Sequence, residues 1–278
     1  MSDLRYTRRK ITQKVMFFFS VTSTFIGIAV LFLILGYVIY KGAKGINIDF
    51  FIRMPTPVGI PGGGMANALI GSFYLIGMAS IFSIPAGILV GVYLSEFGRG
   101  YFASVVRFIS ETLTGVPTIV MGIFAYSVVV MPMGRFSALA GAFALSLLML
   151  PIIAKSTEEL LKMVPETLRE ASLALGIPRW KTILKVVLST AKSGIITGIM
   201  LAIARVGGEA APLIFTAFGN SYMNLKIDQP MASIPVQLYV YAISPYEDWH
   251  QKAWASALVL MGIVLITNII ARMYARKS

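Results

Sequence analysis

Long runs of apolar residues, each broken off by a short polar or charged cluster, dominate the chain. A helix needs about 20 mostly apolar residues to cross the roughly 30 Å hydrocarbon layer of a bilayer. Six windows meet that requirement or nearly do, over residues 17–40, 69–94, 112–131, 136–154, 193–217 and 253–271. Pro55, Pro57, Pro61 and Gly62-Gly63-Gly64 mark a loop ahead of the second window, and Pro132-Met133-Gly134-Arg135 forms a tight turn between the third and fourth. The pattern predicts an all-α integral membrane protein with six transmembrane helices. A basic segment over 1–16 precedes a transmembrane domain over 17–278. The first apolar run exceeds the 7–15 residues of a secretory signal core, so it is read as a retained span.

Composition narrows the picture by exclusion. The 278 residues are 57 % hydrophobic and 13 % charged, with a mean hydropathy of +0.79. Soluble domains carry roughly 25 % charged residues, so the surface of a soluble enzyme could not be covered here. There is no Cys to build a disulfide scaffold and a single His, His250, which speaks against a transition-metal site. The formal charge of +12 could point to nucleic acid, but the basic residues punctuate apolar runs instead of forming a polar face.

Those basic residues set orientation. With the N-terminus in the cytoplasm, most of the 24 Lys and Arg fall in inner segments, from Arg5, Arg8 and Arg9 to Arg272, Arg276 and Lys277, and few in outer ones. The excess of positive charge on cytoplasmic segments predicts that both termini are cytoplasmic. Trp249 and Trp254, with Tyr239, Tyr241 and Tyr246, then form an aromatic belt at the outer face.

The most charged segment, residues 155–192, lies between the fourth and fifth windows. It reads as short helices: Pro165 opens one, Gly176 closes it as a C-terminal cap, and Pro178 opens the next. Leu168, Ala171, Ser172 and Leu175 fall on one face of the first helix as a narrow stripe, with Glu166, Arg169 and Glu170 off it. Such a helix either lies on the membrane surface or docks a partner.

Charges also fall within or beside the predicted spans. Arg205 and Glu209 are four residues apart in the fifth window, on one face if it is helical throughout. An ionised group at the bilayer centre costs about 2.5–3.5 kcal/mol on insertion scales, so a functional role is the default, with an internal ion pair as the plainer alternative. Glu111 follows Arg107 by four residues and is read as its surface partner at a helix end. Pro85 and Pro117 are expected to bend their helices. Gly207 and Gly208 allow either a hinge or close packing, packing being the commoner use. The Met residues read as packing.

Several of these segments resemble one family. Glu170-Ala171-Ser172-Leu173-Ala174-Leu175-Gly176, followed by Val186-Val187-Leu188-Ser189, is similar to the EAA loop of ABC-transporter permeases, with Ser172, Val186 and Ser189 departing from the pattern. Gly115-Val116-Pro117-Thr118-Ile119-Val120-Met121-Gly122 and Arg205 followed by Gly207-Gly208-Glu209-Ala210-Ala211-Pro212-Leu213 resemble motifs of the phosphate-transporting members, as does the stretch from Gly62 to Ser72. The likeness covers most of the chain beyond the first helix. It implies a type I ABC importer in the inner (cytoplasmic) membrane. In it this chain is one half of a phosphate pathway beside a second, similar permease. A periplasmic phosphate-binding protein docks outside and two ATPase subunits sit below.

The resemblance assigns Glu170, Ala171, Ser172 and Gly176 to ATPase coupling. Arg205 and Glu209 fall to the substrate pathway, and Pro117, Gly207 and Gly208 to hinge or packing roles. No G-x-x-x-x-G-K-[ST] phosphate loop occurs, so the chain is read as a non-enzyme that needs neither cofactor nor metal and takes its energy from a separate motor. The alternatives are a permease for phosphonate, sulfate or molybdate, a membrane-embedded lipid enzyme, and a self-sufficient secondary transporter. A lipid enzyme would need clustered carboxylates or histidines, and a secondary transporter paired half-repeats with no docking loop.

Overall fold

The computed structural model describes residues 2–60 and 62–276; Pro61 and Lys277, both used above, lie outside them. In chain order the helices are α1 (Ser2–Gly42), α2 (Ile48–Ile52), α3 (Ala66–Val92), α4 (Tyr101–Gly115), α5 (Thr118–Ala125), α6 (Met131–Met133), α7 (Ala138–Lys162), α8 (Glu166–Ala174), α9 (Arg179–Thr182), α10 (Leu188–Val206), α11 (Ala211–Ile214), α12 (Ile234–Ala242) and α13 (Glu247–Arg276). Wider π-helical turns over Tyr93–Phe97, Tyr126–Val130 and Ile183–Val187 extend α3, join α5 to α6 and join α9 to α10. No strand occurs among the described residues.

α7 is the central helix: 61 % of its most apolar window is buried, against 28 % for α3 and none for α1. The cause lies in its first turns, where Ala138, Ala140, Gly141, Ala142 and Ala144 let neighbouring backbones close in. α3 answers with its own small residues. A Cβ on Gly87 would lie 2.8 Å from the Cβ of Ile153, and one on Gly91 would lie 2.5 Å from that of Thr157. Leu75, Ala79, Leu145, Met149 and Ile153 fill the seam, with Ala202 and Val206 of α10 and Leu213 of α11 closing it. α13 packs along α10 and α12 and meets the end of α1, where the Tyr37 and Trp254 rings sit edge to face at 5.2 Å.

Among the described residues five helices are long and apolar enough to cross a bilayer, and a sixth span exists only if the pair Tyr101–Gly115 and Thr118–Met133, bent by 107°, is counted as one. This is where the sequence reading needs most correction. The window over 112–131, expected as a bent helix, contains a full break. A residue before proline is pushed out of helical geometry, and Val116 is extended (φ −70°, ψ 134°), as is Pro117 (φ −56°, ψ 134°). Two extended residues in a row turn the chain aside. Pro85, by contrast, lies within the unbroken α3.

The fifth window also shifts. The membrane-length helix runs over Arg179–Val206 rather than 193–217, because Gly207, Gly208 and Pro212 end it early. Beyond, the chain folds back as α11, a loop and α12. The backbone N–H of Ala138 donates to Gln229 O at 2.9 Å, that of Leu139 to Ile227 O at 2.9 Å, and that of Ile234 to the Ser72 hydroxyl at 2.8 Å.

Candidate functional site

Arg205 stands in the last turn of α10, one residue before its end. The chain then tightens: Gly208 N–H donates to Arg205 O at 3.3 Å and Glu209 N–H to Val206 O at 3.1 Å. Arg205 and Glu209 are therefore not a helical i,i+4 pair as the spacing predicts. They form no ion pair, and Arg205 has no side-chain partner among the described residues. Both nevertheless line one cleft, with Thr114, Val116 and Thr118 from the break at Pro117 and Ile152 from α7. The turn brings together what a continuous helix would have stacked. The cleft offers an uncommitted guanidinium, a half-buried carboxylate and two hydroxyls (Arg205 itself is exposed).

The two motifs that meet here are locked by backbone contact. A Cβ on Gly122 of α5 would lie 2.7 Å from the Cα of Pro212 in α11, so only glycine admits this approach. Gly207 and Gly208 differ in their surroundings. A Cβ on Gly208 would meet nothing nearer than Arg205 O at 3.9 Å, whereas one on Gly207 would lie 3.2 Å from Ile203 O and 3.6 Å from the Ile76 side chain. Both stand where α10 ends.

On the other side of the molecule lies the charged loop. α8 closes as its sequence requires: Gly176 adopts φ +75°, its N–H donates to Leu173 O at 2.9 Å, and that of Ile177 donates to Ser172 O at 3.3 Å. That pair of bonds is a Schellman cap. Of the stripe Leu168, Ala171, Ser172 and Leu175 only Ser172 is buried, and its hydroxyl meets that of Thr182 at 2.8 Å. Leu175 is 80 % exposed, Trp180 59 % and Leu173 48 %, leaving an apolar surface uncovered. Glu170 and Ala171 are exposed beside it.

Beneath α8 is a polar network that the sequence reading missed. Arg169 binds the Glu96 carboxylate at 2.7 Å, with side-chain exposures of only 13 % and 6 %. It also donates to Val164 O at 2.7 Å and Leu161 O at 2.9 Å, and reaches Glu166 at 3.2 Å. The hydrogen bonds to Glu96 push the Arg169 guanidinium further up against the opposing effect of burial. Arg107, read above as the partner of Glu111, instead binds Glu158 at 2.7 Å and donates to Leu94 O at 2.9 Å, while Lys162 meets the same Glu158 oxygen at 2.6 Å. The reason is the fold of α4: Arg107 faces α7, whereas Glu111 is exposed. The Glu158–Lys162 spacing of four was legible; the Glu96–Arg169 pairing, 73 residues apart, had no local signal. No group of three or more His, Asp or Glu able to hold a metal occurs among the described residues.

A small-residue helix bundle closed on one side by a short exposed loop helix is the architecture of an ABC-transporter permease. A solved structure titled as inward-facing conformations of the MetNI methionine ABC transporter superposes with a TM-score of 0.61 at 18 % identity, over 77 % of this chain and 96 % of that one; a second crystal form gives 0.57 at 20 % identity, over 77 % and 94 %. The family profile described as binding-protein-dependent transport system inner membrane component matches residues 83–278. Among curated proteins, the phosphate transport system permease protein PstA of Haemophilus influenzae is 43 % identical over 273 residues, 98 % of this chain and 96 % of that one. That of Yersinia pestis is 43 % identical over 93 % and 88 %, and that of Xylella fastidiosa strain Temecula1 46 % identical over 84 % and 82 %. The chain belongs to this family of phosphate transport system permeases, an integral membrane transport component and not an enzyme.

Proposed function

We propose that the chain is the permease subunit of an ATP-driven phosphate importer, one half of a pathway completed by a second permease. It takes phosphate from a periplasmic binding protein and is driven by two ATPase subunits bound on the cytoplasmic side, where both termini lie. The single observation that supports the substrate reading best is Arg205, free of any ion pair in the cleft it shares with Glu209 and Thr118. A guanidinium is always charged and presents a planar fork matched to two phosphate oxygens. Glu209 in the same cleft repels the anion and so favours its release, as a pathway that bound its cargo tightly would stall.

Docking of the motor is supported by the uncovered apolar surface of α8 and α9, with Leu173, Leu175 and Trp180 exposed around the glutamate and alanine of the EAA-like segment. A soluble surface rarely leaves such a patch open unless a partner covers it. Pro117, Gly207 and Gly208 act as breaks that shape the cleft. The test is Arg205→Ala in the complete transporter, with assembly checked by co-purification: phosphate uptake is lost while the ATPase remains bound. Uptake at the parent rate overturns the assignment, and parent-level transport of phosphonate, sulfate or molybdate in place of phosphate favours the oxyanion alternative.

A further inference from the structure

We propose that the Glu96–Arg169 pair is the joint through which α8 moves the cytoplasmic end of α3, so that ATP hydrolysis drives uptake only while that pair is intact. This rests on the reading of α8 as the helix on which the ATPase docks.

Little else holds α8. Its only buried side chain is Ser172, whose partner Thr182 lies in α9, at the start of the Arg179–Val206 helix. A helix without an apolar anchor transmits a push only through its covalent ends and its polar contacts. Its covalent ends lead through Val164 to α7 and through Pro178 to the Arg179–Val206 helix; neither leads to α3. The link to α3 is made by guanidinium groups: Arg169 grips the Glu96 carboxylate, and Arg179 donates to the Glu96 carbonyl at 2.7 Å while its guanidinium lies 5.0 Å from the centroid of the Phe97 ring. Glu96 and Phe97 belong to the π-helical turn that ends α3, a wider geometry often met at functional positions. Arg169 also donates to Leu161 O in the last turn of α7 and to Val164 O just beyond it.

One side chain thus ties three helix ends. A pair this buried, with its remaining donors satisfied, holds a fixed geometry that an exposed pair does not. Both gripped helices lead to the Arg205 cleft. Ile152 of α7 lines it, and Ile76 of α3 lies against the Gly207 turn. A displacement of α8 thus reaches α7 and the Arg179–Val206 helix through the chain itself, and α3 through the Glu96–Arg169 joint.

The experiment compares parent, Glu96→Gln and Glu96→Asp, each with the second permease, the ATPase and the binding protein in liposomes, reading phosphate taken up per ATP hydrolysed. Glu96→Gln keeps ATPase binding and basal hydrolysis but lowers uptake per ATP by about fivefold or more, the lower end of ordinary coupling between sites, and Glu96→Asp, which keeps the charge, falls between it and the parent. A ratio unchanged in Glu96→Gln overturns the proposal. Should that variant fail to assemble, Arg179→Gln is read instead: a ratio reduced by about twofold or more supports the joint, and the parent ratio overturns it. Failure of the parent chain itself to bind the ATPase strikes the docking reading and not the joint.

Discussion

Gly122 and Pro212 meet backbone to backbone: a methyl group on the glycine would fall 2.7 Å from the proline Cα. Ninety residues of sequence separate them, yet this contact fixes the chain after the Pro117 break against the turn that carries Glu209. The contact accounts for a short helix such as α5 keeping its place beside α11 without a long apolar seam. Gly122→Ala is therefore expected to destabilise the protein by about 1–3 kcal/mol, the usual cost of overpacking. Gly208→Ala, in open space and without a left-handed backbone, stays within about 1 kcal/mol of the parent, or gains slightly. Thermal unfolding of the two variants in detergent separates them.

Removing the carboxylate from the cleft has a directional consequence. Glu209→Gln takes away the repulsion that opposes the anion near Arg205, so phosphate binds more tightly and leaves more slowly. The expected signature in liposomes is a lower KM for uptake together with a lower maximal rate. A raised KM would show instead that Glu209 orders Arg205 in the working transporter.

Gly176 supplies a left-handed residue that ends α8. Gly176→Ala places a Cβ at φ +75°, which costs roughly 1–2 kcal/mol for an L-residue, while asparagine tolerates that geometry better. Limited proteolysis between α8 and α9 should therefore speed up in the alanine variant, with Gly176→Asn between it and the parent. ATPase co-purification is expected to follow the same order.

Ser172 stands where the EAA pattern has alanine, and its hydroxyl is buried against that of Thr182. Ser172→Ala leaves the threonine hydroxyl buried without that partner, at a cost of about 1–3 kcal/mol. Ser172→Ala/Thr182→Val removes both groups and recovers most of the loss. The pair is read by protease resistance of the loop, and equal sensitivity of single and double variants would remove the hydroxyl pair from any role in holding α8 to α9.

Much of the architecture was legible because the membrane imposes length and apolarity on each span independently of its neighbours. The runs that became α1, α3, α7 and α13 could be read locally for that reason. α12 was missed although Ser233 and Pro235 are the start signals of a helix; its nine residues are too short to register as a span. The break at Pro117 was read as a bend, since one proline alone does not show whether the residue before it will also leave the helix.

In the candidate site the anomalous charges are marked along the chain: Arg205 and Glu209 stand out because an ionised group in an apolar run is costly wherever it ends up. The end of α8 is marked there too, since Gly176 carries the conformational freedom of its cap in its own backbone. It is packing that makes Arg205 and Glu209 share a cleft without pairing, turns Arg107 to Glu158 and not Glu111, and closes Arg169 on Glu96. These are relations between helix ends, set by how small residues let α3 and α7 pack. Charge partners across 51 or 73 residues leave no periodic trace along the chain.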